Sequence, residues 1–112
     1  MFEKKCIDEI CTVRINLQKA TLSVTEKFRE FFLDLLKTET KKIIVDFKKC
    51  EYVNSTFLGT LVACFKIAET KGATLKIVVN TKLNFIFCDI AHLHQLFSIY
   101  NNIDEAIFDY KN

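Results

Sequence analysis

At 112 residues, 50% hydrophobic and 27% charged, the chain holds enough apolar material for one core and too much for a disordered segment. Its 16 basic and 14 acidic side chains are interleaved to a net charge of +2, which leaves no concentrated basic stripe for nucleic acid. No apolar run is long enough to span a membrane and the opening MFEKKCIDEI is charged, so a cytoplasmic protein with no membrane partner is expected.

In chain order, residues 1–17 read as two strands. Cys11, Val13, Ile15 and Leu17 alternate with Thr12, Arg14 and Asn16, a period of two with one drier face, and Asp8-Glu9 is the turn. Gln18 to Leu22 reads as a loop. Ser23 and Glu26 have the spacing of a capping box, so a helix is expected from Ser23, with Val24, Phe28, Phe31, Phe32 and Leu35 as its apolar stripe, ending near Leu36.

The stretch from Lys42 to Gly72 organises the rest. Ile43 to Phe47 is nearly continuous in apolar residues, as in a strand covered on both faces, and only Asp46 interrupts it. Asn54-Ser55-Thr56 then open a helix reaching about Thr70, and Thr74 to Val79 reads as another buried strand. Strand, helix and strand in that order make a right-handed βαβ crossover, which needs a parallel sheet.

Beyond it, Thr81 to Ile90 reads as a helix carrying Leu83, Ile86, Phe87 and Ile90, and Phe97 to Tyr100 as a short strand. Asn102 with Glu105 suggests a cap for a closing helix with Ile103, Ala106, Ile107 and Tyr110. The order ββαβαβαβα predicts an α/β fold, a mixed sheet with helices packed against it and an antiparallel edge. With no proline and two glycines, no linker divides the chain, and residues 1–112 are expected to form one domain.

Little points to catalysis. The five cysteines lack any CxxC spacing and lie in apolar segments, where a free thiol acts as a small hydrophobe, so core packing is expected of them. His92 and His94, two apart, would face opposite sides of a strand, which fits surface positions better than metal ligation. Asp46 has no evident partner. No metal, no cofactor and no enzymatic activity are expected.

The start of the second helix is open to two readings. A side-chain oxygen at Asn54, Ser55 or Thr56 can cap the helix, contributing about 1 kcal/mol. The same N–H groups and the helix dipole also favour a phosphate, so a hydroxyl there is a candidate for reversible phosphorylation. Along the helix, Phe57, Leu58, Leu61, Val62, Phe65 and Ala68 make the core stripe. The opposite side carries Gly59, Ala63, Lys66, Ile67 and Thr70, with Gly59, Ala63 and Ile67 in one i, i+4 row. That row is small and apolar, and suits either a partner's close approach or a neighbouring helix of the same fold.

From Val45 to Leu61 the residues V-D-F-x-x-C-E-Y-V-N-S-T-F-L-G-T-L resemble the STAS domain of bacterial anti-sigma-factor antagonists. In that family a strand ending in Asp runs through a short turn to D-S-[ST]-G-L-G at a helix start. Lys71–Val78 (KGATLKIV) looks like the family's next strand, and the pattern from His92 to Ala106 resembles its C-terminal section. Asn54 stands where the family has Asp, and Phe57 where it has the first Gly.

The resemblance implies a partner-switching regulator that binds an anti-sigma factor, itself a serine kinase, and so releases a sigma factor; a phosphatase resets it. Ser55 takes the phosphoacceptor position, with Thr56 as second choice. Asn54, Ser55, Thr56, Phe57, Gly59, Ala63, Lys66 and Ile67 are the expected contacts. The alternative is a constitutive binding or scaffold module of the same fold, not regulated by phosphorylation.

Overall fold

Strand β1 (Phe2–Ile7) turns back into β2 (Ile10–Ile15) in the computed structural model, which describes residues 1–112. The turn is made by Asp8 and Glu9, both left-handed (φ 53° and 69°) as a two-residue hairpin requires. No glycine relieves that backbone, so the expected turn forms at a steric cost.

Five strands make the main sheet in the order β1-β2-β4-β6-β7, with β4 at Lys42–Asp46, β6 at Thr74–Val78 and β7 at Ser98–Tyr100. Only β1 and β2 are antiparallel; β2, β4, β6 and β7 run parallel. The mixed α/β architecture expected from the sequence is the one observed. Helices α1 (Leu22–Leu36) and α2 (Ser55–Thr70) cover one face, and α4 (Ile103–Lys111) covers the other.

The alternation of each strand decides which face a side chain joins. Cys11, Val13, Ile15, Ile43, Val45, Leu75 and Ile77 point into the larger core beneath α1 and α2. Ile10, Ile44 and Val78 point the other way and meet Ala106 of α4. Aromatic rings run through the larger core: Phe28 lies 4.9 Å from Phe57, Phe57 lies 6.1 Å from Phe47, and Phe47 lies 5.4 Å from Phe87. Those rings tie both helices, β4 and the segment after β6 into one packed unit.

Several local expectations are corrected. The segment read as a loop contains β3 (Lys19–Ala20), which pairs in parallel with β5 (Tyr52–Val53) in a second, two-stranded sheet. Helix α1 is entered from Thr21, not Ser23; the Ser23 hydroxyl meets Thr21 Oγ1 at 3.0 Å, so no capping box forms with Glu26. Phe31 packs on the core only half-buried, against Phe2, and Leu36 is buried as well.

The helix expected over 81–90 is α3 (Thr81–Asn84), continued as a wider π-helical turn over Phe85–Ile90. Leu83 and Phe87 are buried there, but Ile90 is exposed. His92 and His94 are not on a strand: His92 is left-handed (φ 53°) and His94 sits in a 3₁₀ turn, both exposed. Cys6 and Cys11 are not two free core thiols but are bonded to each other. The cap at Asn102 forms as expected, and of the three candidates at the second helix Asn54 is the cap, each side chain accepting from the N–H three residues on.

Candidate functional site

The site is built where β4 ends and α2 begins. Asp46, buried at the end of β4, accepts from the Lys48 N–H at 2.8 Å and lies 3.6 Å from Arg14 Nε. The strand-end carboxylate therefore turns the chain out of the sheet. Asn80 holds that loop from the other side, its Nδ2 donating to the Lys48 and Cys50 carbonyls (3.0 and 2.7 Å) while its Oδ1 caps Leu83 N–H. The chain then pairs as β5 with β3, and Asn54 N–H donates to Ala20 O at 3.0 Å. The start of α2 is thus fixed from three directions before the helix begins.

Asn54 Oδ1 accepts from Phe57 N–H at 2.8 Å, and Asn54 O accepts from Leu58 N–H at 3.1 Å. Asn54 is the N-cap; Ser55 and Thr56 are the first two helical residues, and both are exposed. The first turn of α2 contains no acidic side chain, so its positive dipole end faces solvent unneutralised. An anionic group on the Ser55 hydroxyl would sit in a favourable local field.

Along α2 the buried side chains are Phe57, Leu61, Cys64 and Ala68, with Leu58, Val62 and Phe65 half-buried. Cys64 is buried, as core packing of the cysteines predicts, and it lies at helical spacing from both Phe57 and Leu61. Gly59, Ala63, Lys66 and Thr70 are exposed, and a Cβ placed on Gly59 would meet nothing within 4 Å. No neighbouring helix covers that end of the row. Ile67, by contrast, is half-buried and packs against the core.

One expected contact is corrected. Phe57 has no exposed surface and lies among Phe28 and Phe47, so its ring cannot reach a partner. Tyr52, paired with Lys19 across β3–β5, and Leu22, the first residue of α1, are exposed apolar residues. Two-residue strands carry no period, so no sequence pattern marked that pairing.

The arrangement offers little acid–base or nucleophilic chemistry. Burial pushes the Cys64 thiol up to about 11 and raises that of Cys50 as well, so both are held as neutral thiols. No cluster of three or more His, Cys, Asp or Glu side chains is placed to hold a metal ion. A groove of about 410 Å³ lies between the hairpin and α4, where Ile7, Ile10, Ile103 and Ile107 line it, and it does not include Ser55. No helix is long and apolar enough to cross a membrane.

The fold is shared with proteins of known structure. A candidate anti-sigma factor antagonist from Thermotoga maritima superimposes with a TM-score of 0.85 at 23% identity, covering 99% of this chain and 95% of that one. SpoIIAA, a Bacillus cell fate determinant in its phosphorylated form, matches over 100% of both chains with a TM-score of 0.72 and 13% identity. A sulfate transporter family protein from Wolinella succinogenes matches with a TM-score of 0.78 and 18% identity, covering 96% of this chain and 89% of that one. The sequence model of the STAS domain matches residues 1–106, and the chain therefore belongs to the STAS domain family.

Proposed function

We propose that this chain is a cytoplasmic anti-sigma-factor antagonist, acting as one domain over residues 1–112 and switched by phosphorylation of Ser55. The observation that carries this reading is the division of labour at the start of α2. Asn54 makes the cap bond to Phe57 N–H, which leaves the exposed Ser55 hydroxyl outside the capping role. The existence of a phosphorylated form of SpoIIAA, a protein of the same fold, adds support.

The docking face is the surface running from Ser55 and Thr56 along Gly59, Ala63 and Lys66 to the exposed edge of Ile67, with Asn54 at its rim. Small residues there let the backbone of a partner come close. The partner is an anti-sigma factor that is also the serine kinase. Adding roughly −1.5 to −2 charges at the head of that face brings a hydrated dianion into the contact, which releases the partner. A phosphatase removes it. Thr56, one residue on and equally exposed, is the second acceptor.

A second reading is a constitutive binding module. It is favoured by the occurrence of this fold in a sulfate transporter family protein, and by Asn54 and Phe57 at positions where the antagonist motif has Asp and Gly. Capture from the source cell with wild-type, Ser55→Ala and Ser55→Asp baits separates the two. A kinase-like partner held by the first two baits and lost by the third is expected. The same partner on all three baits would establish the constitutive module instead.

A further inference from the structure

Cys6 and Cys11 stand directly opposite each other in the antiparallel register of the hairpin, and their sulfurs are joined. The two ends differ in surroundings. Cys6 is exposed on the edge strand, whereas Cys11 is buried in the larger core, with its sulfur 3.5 Å from Thr40 Oγ1.

The hydroxyls around Cys11 leave that last contact without a hydrogen. Thr38 Oγ1 gives its only hydrogen to Leu35 O at 2.6 Å. In the 2.8 Å contact between Thr38 Oγ1 and Thr40 Oγ1, Thr40 must therefore be the donor. Its hydrogen is committed there, and a disulfide sulfur has none to offer. Only the thiol form of Cys11 can place a hydrogen on Thr40 Oγ1. The half-buried Thr40 hydroxyl thus has a bonding position that Cys11 fills in the reduced state and leaves to solvent in the oxidised state.

We propose that Cys6–Cys11 is a reversible redox site, opened by a dithiol and closed again by the corresponding disulfide. A thiolate of the dithiol attacks the exposed Cys6 sulfur, and the electron pair of the S–S bond passes to Cys11, which takes a proton from solvent and donates to Thr40. The second thiolate of the reagent attacks its own sulfur in the mixed disulfide and expels Cys6 as a thiolate, which is protonated in turn. The protein gains two electrons and two protons, and the dithiol becomes a disulfide. Cys50 and Cys64, buried and neutral, stay out of the exchange. Closure adds a covalent link between edge strand β1 and β2; opening leaves β1 held by backbone pairing and by the packing of Phe2 against Phe28 and Phe31.

The test is equilibration of the whole native protein with oxidised or reduced dithiothreitol, alkylation with iodoacetamide, and peptide mapping by mass. Mapping also separates Cys88, which is half-buried and free. A linked Cys6–Cys11 peptide after oxidation, alkylated Cys6 after reduction, and a linked peptide again on re-oxidation are expected. Both cysteines alkylated after oxidation would overturn the proposal, as would a linked pair that opens only in denaturant. Thr40→Val is expected to shift the equilibrium about two- to tenfold toward the disulfide, as loss of one hydrogen bond implies, with Thr40→Ser unchanged. The same position for all three proteins would remove Thr40 from the mechanism.

Discussion

Asn54 Oδ1 accepts the Phe57 N–H at 2.8 Å, and this bond assigns the start of α2 to two different tasks. The cap is structural, and the hydroxyls of Ser55 and Thr56 are left exposed at the positive end of the helix. Asn54→Ala is expected to lower stability by about 1 kcal/mol in urea unfolding, while Ser55→Ala changes it by less than about 0.5 kcal/mol. A cap cost at Ser55 equal to that at Asn54 would make Ser55 a second structural residue and weaken its assignment as the switch.

Phe57 and Gly59 sit two residues apart and are expected to respond in opposite senses. Phe57→Ala opens a hole among Phe28 and Phe47 and is expected to cost about 3–5 kcal/mol. Gly59→Ala places its methyl in open space within a helix, and is expected to add about 0.5–1 kcal/mol by thermal or urea unfolding. Gly59→Arg keeps the fold but holds a partner off the row, so its circular dichroism stays native while capture is lost. Retained capture would move the docking face elsewhere.

Asn80 links three groups across the loop that delivers Ser55: the Lys48 and Cys50 carbonyls and the Leu83 N–H. Asn80→Ala removes all three bonds, two of them part-buried and one exposed, and is expected to cost about 1–3 kcal/mol. Hydrogen exchange should quicken across the 47–53 loop and at the start of α3 more than in β1. Uniform exchange across the molecule would show that the loop is held by other means.

Tyr110 fastens the end of α4 to the sheet, its hydroxyl donating to Ile43 O at 2.8 Å and accepting from Ile43 N–H and Thr74 Oγ1. Burial is the main cause that pushes the phenol up from 10.0 to about 12, against hydrogen bonds that lower it. The folded state therefore keeps its proton at pH values where the unfolded chain releases it. Stability from this group is complete below pH 10 and is lost as pH climbs toward about 12. Between those limits the wild type should lose more stability than Tyr110→Phe, which has no phenol to ionise. Parallel losses in the two proteins would assign the alkaline transition to other groups.

What the sequence alone determined is what repeats along it. Val13 and Ile15 alternating with Thr12 and Arg14, the continuous run at Ile43–Val45 and the spacing of Phe57, Leu61 and Ala68 are local patterns. Each has a period set by backbone geometry, and together they specify a βαβ core and its order of elements. The cap at Asn102 and a cap within Asn54–Thr56 were legible for the same reason, since a side chain meets a backbone group three residues away.

Tertiary structure decided whatever depended on residues far apart. Lys19–Ala20 is a strand only because Tyr52–Val53 lies beside it, and two residues are too few to show a period. Thr21 rather than Ser23 opens α1 because the chain arrives there from β3. Cys6 meets Cys11 once the hairpin register is set, although both had looked like separate core residues. Phe57 could have faced a partner or the core, and the rings of Phe28 and Phe47 drew it inward. The same packing left Gly59 and Ala63 uncovered: a small residue is compatible with a buried crossing or an open face, and only the positions of the neighbouring helices distinguish them.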